Sequence, residues 1–416
     1  MTGSQGPTTA SAAEAEGASP LMARQPVFDR TNRVAGYELL YRGAPPAPDQ
    51  QEEWAERATS SVLIDLVSGG VLDTLLGQQR AFINLPRSFL FDFQGAALDP
   101  ERFVLEVLED VEADSGVFEA LRELKASGYT LALDDFVLFG RHQELLGLAD
   151  LVKVDIQGYD QAGLAECVRE LRRHPVHLLA EKVETPEEWA RCRELGFHYF
   201  QGFFFARPQP VARSRLSPDR VNALQLIGRL QDPELDLDGL TELISQDVYL
   251  SYRILRLINS AFFPLRTRID SVQRALVYLG LDTVRTWATW LAMAGVRDKP
   301  QELAVTNLVR ARMAESLGKA LEGSGGRYFT AGLFSTLDAL LDRPMAEALE
   351  QLPLSTELEA ALLRHEGSVG QVLAAIKAYE RGDWDGATRG GLAPEHLGQA
   401  YQEAVAGAEH ARSLMG

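Results

Sequence analysis

The sequence predicts an α/β domain followed by an all-α domain. The chain has 416 residues, and at roughly 100–200 residues per domain this length suggests two or three domains. Between Arg24 and residue 208, short apolar runs alternate with amphipathic helical segments, which is typical of a parallel sheet or a barrel. Beyond Pro218 no strand pattern appears, and Leu/Ala-rich segments with helical spacing continue to Gly416.

The α/β domain begins with a hairpin. Residues 1–20 are rich in Ala, Gly, Ser and Thr, and we expect them to form a disordered leader. Two strand-like runs, Arg24–Phe28 and Val34–Tyr41, flank turn-forming residues at 29–32 and predict an antiparallel pair. The further predicted strands are Ala81–Leu85, Phe103–Val107, Thr130–Leu133, Leu151–Val154, Val176–Ala180 and His198–Phe200.

Helical patterns separate these strands and fill the rest of the chain. Trp54–Leu76 and Val117–Ser127 are amphipathic, and Gly128 supplies a C-cap signal after the second. A Pro/Arg/Ser-rich stretch at residues 209–217 indicates a linker, so the helical domain is expected at 218–416. Its first predicted helices are Asp219–Leu230, Leu237–Ser245, Tyr249–Asn259, Ser271–Leu279, Asp282–Gly295 and Leu303–Leu321.

Composition excludes several classes of protein. The chain carries 41 basic and 59 acidic residues, a formal net charge of −18, which disfavours binding to nucleic-acid phosphates. No stretch approaches the ~20 uncharged apolar residues of a membrane span, and the N-terminus lacks a secretory signal pattern. Cys167 and Cys192 are too few for a disulfide scaffold or a four-thiolate zinc site. We therefore expect a cytoplasmic protein without membrane contact.

Polar residues stand at or near the ends of nearly all the predicted strands. They are Glu38, Asn84, Glu106, Asp134, Asp135, Lys153 and Glu181. If the strands form a barrel, their carboxyl ends converge on one mouth. Two like charges ~4 Å apart repel by about 4 kcal/mol at an effective dielectric constant near 20, so such a cluster must take up protons or bind cations. Oxygen ligands suit Mg²⁺ or Mn²⁺, and two such ions could promote hydrolysis of a phosphodiester.

The same residues carry a family resemblance. Residues 21–208 resemble the EAL-domain cyclic-di-GMP phosphodiesterases, whose Glu-Ala-Leu motif corresponds here to Glu38-Leu39-Leu40. The remaining motifs occur in order along the chain. They are Arg24-Gln25-Pro26-Val27-Phe28, Asn84, Leu105-Glu106-Val107-Leu108-Glu109, Asp134-Asp135-Phe136, Lys153-Val154-Asp155, Ala180-Glu181-Lys182-Val183-Glu184-Thr185 and Gln201-Gly202-Phe203.

The resemblance implies a (β/α)₈ TIM-type barrel and a role for each matching residue. The implied ligands of one or two Mg²⁺ or Mn²⁺ ions are Glu38, Asn84, Glu106, Asp134 and Asp135. Lys153 and Glu181 would assist the attacking water, with Glu181 as general base. Arg42 and Gln201 would contact the substrate, and Glu109 and Glu184 would support the loop after the Asp pair. The implied reaction is hydrolysis of cyclic-di-GMP to linear pGpG.

One segment departs from the family pattern. Active members continue the Asp pair with Phe-Gly-Thr-Gly-Tyr-Ser-Ser-Leu, whereas this chain has Phe136 followed by Val137-Leu138-Phe139-Gly140. The substitutions remove the permissive backbone of glycine from a loop that in the family helps to hold the second metal ion and supports a dimer. Two hypotheses therefore stay open. The retained acidic set favours a phosphodiesterase, and the altered loop 137–140 favours a weak or inactive domain that serves as a cyclic-di-GMP receptor or protein scaffold.

The helical half resembles the HDOD domains, relatives of the HD phosphohydrolases that lack their metal site. The matching stretches include Leu255–Phe263, Ile269–Leu276 and Ala378–Trp384. Ser335-Thr336 stands where the metal-binding His-Asp pair would be. The resemblance implies a regulatory or output domain with an unknown protein partner, and it leaves a homodimer open. An excess of arginines over acids marks residues 251–285 as the expected contact region.

Overall fold

The computed structural model describes residues 22–41, 75–92, 98–137, 140–208, 217–260, 263 and 267–414. Several features predicted from the sequence lie outside these residues: the leader 1–20, Arg42, the amphipathic segment up to residue 74, Leu138 with Phe139, and linker residues 209–216. Within the described residues, no helix is both long enough and apolar enough to cross a bilayer.

Eight strands close into a barrel in sequence order. They are β1 (Met22–Asp29), β2 (Val34–Tyr41), β3 (Arg80–Leu85), β4 (Phe103–Val107), β5 (Thr130–Leu133), β6 (Leu151–Asp155), β7 (His177–Glu181) and β8 (Tyr199–Gln201). β1 runs antiparallel to both neighbours, β2 and β8, and every other neighbouring pair is parallel. The predicted α/β barrel is confirmed, and every predicted strand is present.

Local signals explain how the hairpin and the barrel helices begin. The Asp29 carboxylate accepts hydrogen bonds from the backbone N–H groups of Thr31 and Arg33, which closes the β1–β2 turn. Thr185 and Glu188 cap a helix reciprocally, each side chain accepting from the other's backbone N–H. Within the described residues, the helices of this domain are α1 (Arg87–Asp92), α2 (Ser115–Ala126), α3 (Gln161–Leu171) and α4 (Pro186–Leu195). 3₁₀ segments lie at Arg141–Gly147, Ile156–Gly158 and Phe204–Ala206.

The second half is helical throughout its described residues, as the sequence predicts. Its helices are α5 (Pro218–Leu230), α6 (Leu237–Ser245), α7 (Val248–Ile258), α8 (Val272–Leu279), α9 (Leu281–Ala294), α10 (Gln301–Glu322), α11 (Gly326–Phe334), α12 (Leu337–Leu341), α13 (Met345–Leu349), α14 (Thr356–Arg364), α15 (Gly367–Arg381), α16 (Trp384–Thr388) and α17 (Pro394–Ser413). The 22-residue α10 packs against α11, α15 and α17, and its buried side chains centre the domain.

The two halves share a buried junction formed by β1, β2, α10, α15 and α17. The Arg24 guanidinium donates to Glu409 Oε1 at 2.7 Å and stacks 4.1 Å from the centre of the Tyr37 ring. The Tyr37 hydroxyl donates to Glu302 Oε2 at 2.8 Å. The Tyr379 hydroxyl donates to the Met22 carbonyl at 3.2 Å. Tyr37 immediately precedes Glu38, so the helical half contacts the strand that carries a predicted site residue.

Candidate active site at the barrel mouth

The barrel interior has an apolar layer with a polar layer above it. The apolar cluster is separate from the main core and comprises Val27, Phe82, Val104, Ala132, Leu151 and Leu179, with Tyr199 packed against it. Alternate residues of a strand share one face. Along β3 to β8, a polar residue follows each inner residue of this cluster by two positions. These polar residues are Asn84, Glu106, Asp134, Lys153, Glu181 and Gln201. The period of two therefore places these side chains at the carboxyl ends of the strands, facing one mouth.

β2 contributes Glu38 to the same layer. Two residues earlier stands Gly36, where a Cβ atom would lie 2.6 Å from the Phe82 ring. Glycine therefore leaves room for the Phe82 ring in the apolar layer, while Glu38, 6% exposed, reaches the polar layer above it.

Lys153 stands at the centre of the polar layer and is 1% exposed. Its ammonium Nζ lies 2.7 Å from Asp134 Oδ1, 2.9 Å from Glu106 Oε1 and 3.0 Å from Glu181 Oε1. A fourth carboxylate oxygen, Glu38 Oε2, lies 3.4 Å away. Four of the five predicted carboxylates are thus brought together around one cation.

Gln201 orients Glu38. Its side-chain amide donates to Glu38 Oε2 from the end of β8, and both groups are buried. The following residue is Gly202, with φ +144°. A Cβ atom there would lie 2.0 Å from the Val183 carbonyl oxygen, a separation that no side chain allows. The Gln201 amide is thus bonded to a predicted metal ligand, and contact of Gln201 with substrate stays a prediction.

Asp135 is half-buried and is not among the four carboxylates that pair with Lys153. Its φ of +41° is in the left-handed region that non-glycine residues rarely adopt, and such strain clusters at functional sites. Lys182, also left-handed at φ +55°, forms an ion pair of 2.6 Å with Asp155. Asp155 is the last residue of β6, as the sequence predicts, and it pairs with Lys182.

Burial and repulsion between neighbouring carboxylates raise the pKa values of Glu106 and Glu181. Burial raises the pKa of Glu106 well above its usual range, and the neighbouring charges of Glu38 and Asp134 raise it further. Burial raises the pKa of Glu181 to about 8, although Lys153 opposes this rise. For Lys153, burial alone lowers the pKa, but the surrounding carboxylates raise it well above its usual range. The ammonium therefore stays protonated, and the cluster retains protons near neutral pH.

The donors of the mouth fit a hard divalent cation by their chemistry. All are oxygens, and the buried Oε2 atoms of Glu106 and Glu181 accept no hydrogen bond from the part of the chain that the structure describes. Among those described residues, no group of three His, Cys, Asp or Glu side chains is arranged to hold a metal ion. The carboxylates instead turn toward Lys153. Metal binding therefore requires them to exchange part of their contact with the ammonium for contact with the ion.

Two predicted supporting residues lie outside the cluster. Glu184 pairs with Arg207, and its backbone N–H donates to Glu188 Oε2 at 2.7 Å. Glu109 is exposed and makes no hydrogen bond or ion pair with described residues. Leu138 and Phe139, part of the loop that Glu109 is expected to hold, are outside the described residues. Both loop-support roles, and substrate contact by Arg42, therefore remain predictions.

Comparisons with known proteins agree with this architecture. The EAL domain family matches residues 20–208, and the HDOD domain family matches residues 216–366. Cyclic di-GMP phosphodiesterase CdgJ of Vibrio cholerae is 35% identical over 371 residues, which cover 88% of this chain and 86% of that protein. The chain belongs to the EAL–HDOD family. The uncharacterized protein YuxH of Bacillus subtilis is 31% identical over 396 residues, covering 92% of this chain and 97% of YuxH.

A solved structure of one EAL protein overlaps only in part. The manganese/cyclic-di-GMP complex of Klebsiella pneumoniae BlrP1 aligns with 46% of this chain and 56% of that chain. The identity is 26% and the TM-score is 0.37, so this overlap adds nothing to the family matches.

An ion pair between Arg310 and Glu380 lies beside Ser335, in the segment where the resemblance to HD phosphohydrolases would place a His-Asp pair. Ser335 and Thr336 are 5% and 1% exposed. The Arg310 guanidinium donates to Glu380 with two nitrogens and to Ser335 Oγ at 3.3 Å. The Thr336 hydroxyl donates to Asn307 Oδ1. Two hydroxyls and an arginine replace the imidazole and carboxylate that a metal would need.

The expected contact region of the HDOD domain is not a uniform basic surface. Arg253 is 9% exposed, and the Arg285 guanidinium donates to the Leu235 carbonyl at 3.0 Å. Arg274 pairs with Asp270 at 2.9 Å. Arg256 and Arg268 are exposed. The arginines of residues 251–285 therefore divide into exposed ones and ones that serve the fold or line its interior.

Proposed function

We propose that the EAL barrel hydrolyses one phosphodiester bond of cyclic-di-GMP to give linear pGpG. The observation that carries this proposal is the buried polar layer, in which Glu38, Glu106, Asp134 and Glu181 surround Lys153 at the carboxyl ends of the strands. The 35% identity to a protein named as a cyclic-di-GMP phosphodiesterase, over 86% of its length, supports the same substrate.

The proposed cofactor is one or two Mg²⁺ or Mn²⁺ ions. Glu38, Asn84, Glu106, Asp134 and Asp135 would hold them, and bound divalent cations neutralise phosphate charge and activate water. Oxygen-only donors select such hard ions over softer transition metals. The Gln201 amide donates to Glu38 Oε2 and so fixes the orientation of one proposed ligand. Asp135 would contribute a further carboxylate to the proposed ion or ions.

The chain's own residues supply the proton chemistry. Glu181 is the proposed general base, and its buried Oε2 accepts no hydrogen bond from described residues. Burial raises the pKa of Glu181 to about 8, so it would take a proton from water in its ionised form, which a bound divalent cation would favour. Lys153 holds the carboxylates in place and provides a fixed positive charge for the phosphate oxygens. The water oxygen would bond to phosphorus as one bond between phosphorus and a ribose oxygen breaks. The departing ribose oxygen would take up a proton from solvent, and the product would carry the new terminal phosphate.

We further propose that the HDOD domain is a regulatory or output domain for a protein partner. The junction supports this role, because Glu302 of α10 bonds to Tyr37 beside Glu38. A homodimer and a cytoplasmic location remain predictions from the sequence. No nucleic-acid partner is proposed.

A second candidate function is a non-catalytic cyclic-di-GMP receptor. It is favoured by the loop after the Asp pair, where Val137 is 61% exposed and replaces a family glycine. The site would then bind nucleotide without turnover.

The test is cyclic-di-GMP turnover by the full chain with Mn²⁺, followed by separation of pGpG and measured beside nucleotide binding. Formation of pGpG that requires the metal supports the phosphodiesterase. Nucleotide binding with no pGpG excludes it and leaves the receptor. Neither binding nor turnover overturns both candidates.

A further inference from the structure

The HDOD domain contains a cavity that the barrel chemistry does not use. Its volume is about 850 Å³, and it lies among α5, α7, α9 and the start of α10. Cavities of ~300–1,000 Å³ are typical of small-molecule sites. All its lining residues fall between Asp219 and Leu340, so it shares no residue with the barrel mouth.

The cavity is lined by a largely buried cation, Arg253, which is 9% exposed. Its guanidinium makes no hydrogen bond or ion pair with the residues that the structure describes, and its Nε is buried without a partner. Its one charge-related contact is with Tyr249, whose ring centre lies 5.2 Å from the guanidinium carbon. Burying a charge without a partner is costly. An anion in the cavity would offset that cost.

A second buried donor lines the same cavity. Asn307 is fully buried, and its Oδ1 accepts a hydrogen bond from the Thr336 hydroxyl. Its Nδ2 has no acceptor within the described part of the chain. Buried polar groups without partners are uncommon in folded proteins. Arg253 and Asn307 therefore both present N–H groups that require a hydrogen-bond acceptor.

The charge of the lining favours an anionic ligand. Its basic residues are Arg229, Arg253, Arg297 and Lys299, and its acidic residues are Asp219 and Asp247. Asp247 already accepts the Leu250 N–H at 2.9 Å as the N-cap of α7. Lys299 pairs with Asp342 at 2.6 Å, which leaves three arginines for a ligand.

The rest of the lining favours an organic anion over an inorganic one. Apolar side chains such as Leu226, Leu243 and Met293 alternate with amides such as Asn222 and Gln246. Tyr249 offers an aromatic face beside the arginine. We propose that this cavity, which we call the HDOD pocket, binds a small organic phosphate of about nucleotide size, with the phosphate at Arg253.

The test is fluorescence anisotropy of N-methylanthraniloyl-GTP with the full chain in EDTA, which removes divalent metal from the barrel. We expect saturable binding that Arg253→Met weakens at least about tenfold, as for loss of a charge-assisted hydrogen bond. Arg256→Met is the matched control, because Arg256 is exposed on the same helix and does not line the pocket. Arg229→Met with Arg297→Met tests two exposed lining residues whose replacement leaves the core intact.

Competition distinguishes the part of the ligand that is recognised. Unlabelled GTP should displace the probe at a lower concentration than pyrophosphate, because the proposed ligand has both a phosphate and an organic body, and guanosine should not displace it. Displacement by pyrophosphate as effective as by GTP would show that the organic body is not recognised and would contradict the proposal. No binding by the wild type, displacement by guanosine as effective as by GTP, or binding unchanged in Arg253→Met would each overturn the proposal.

Discussion

Replacing Lys153 by Met should destabilise the barrel more than replacing any exposed lysine. Its ammonium contacts four carboxylates at 2.7–3.4 Å and is 1% exposed. A charge pair 3 Å apart attracts by roughly 5 kcal/mol at an effective dielectric constant of about 20. Desolvation offsets much of this attraction. Removing one partner of a buried pair typically costs about 3–5 kcal/mol because the other charge is left unpaired. We expect Lys153→Met to lose stability in that range.

Lys182→Met is the matched control. Lys182 follows the next strand and pairs with Asp155 at 2.6 Å, but its side chain is 56% exposed. Exposed pairs contribute at most about 1 kcal/mol. Urea unfolding followed by circular dichroism in EDTA measures both variants. Saturating Mn²⁺ should recover more stability in Lys153→Met than in Lys182→Met, since a divalent ion among the carboxylates replaces the missing charge.

Two results would refute this reasoning. If Lys153→Met is as stable as Lys182→Met in EDTA, the carboxylates do not depend on the ammonium. If Mn²⁺ stabilises neither the wild type nor the variant, the cluster is not a metal site.

Two further predictions concern the loop and the junction between the domains. If the wild type binds cyclic-di-GMP without turnover, changing Val137, Leu138 and Phe139 to Gly, Thr and Gly should raise pGpG formation; an inert variant that still binds metal and nucleotide would exclude the loop as the defect. Burial raises the pKa of Glu302 from 4.5 to about 7. Between these two pH values, Glu302 is therefore protonated in the folded protein and ionised in the unfolded protein. The test compares the unfolding free energy of the wild type with that of Glu302→Gln. The difference, wild type minus variant, should fall by up to about 3 kcal/mol as pH rises from 4.5 to 8. A difference that does not change with pH would show that Glu302 does not titrate this way.

The apolar and polar layers of the barrel were predictable because they depend on the two-residue repeat of side-chain direction in a strand. Glu106 follows Val104 by two residues, and Glu181 follows Leu179 by two. In a strand this spacing alone places an acid above an apolar inner residue. The strand-end acids therefore indicated the mouth of the barrel without knowledge of any distance. The central place of Lys153 was not predictable in this way, because it depends on how side chains from four other strands reach across the barrel.

The junction left only a weak signal in the sequence. Arg24 and Glu409 are separated by 385 positions, and no local period links residues so far apart. Glu409 does interrupt an apolar helical face between Ala408 and Ala411. A buried acid of this kind needs a partner, but its position does not identify Arg24. The burial of Arg253 was missed for a similar reason, since a run of arginines on helices is typical of a solvated face.

The most direct test of the central claim is the rate of pGpG formation from cyclic-di-GMP with Mn²⁺, compared between the wild type and Glu38→Ala. Glu101→Ala is the control, since Glu101 is exposed at the opposite end of β4. Loss of a residue that only supports a metal ligand typically lowers metal affinity or activity about 10–100-fold. Loss of a ligand itself should therefore reduce the rate at least about 100-fold. We predict that Glu38→Ala folds and loses the activity while Glu101→Ala keeps it. An undiminished rate in Glu38→Ala would contradict the assignment of the barrel mouth as the active site.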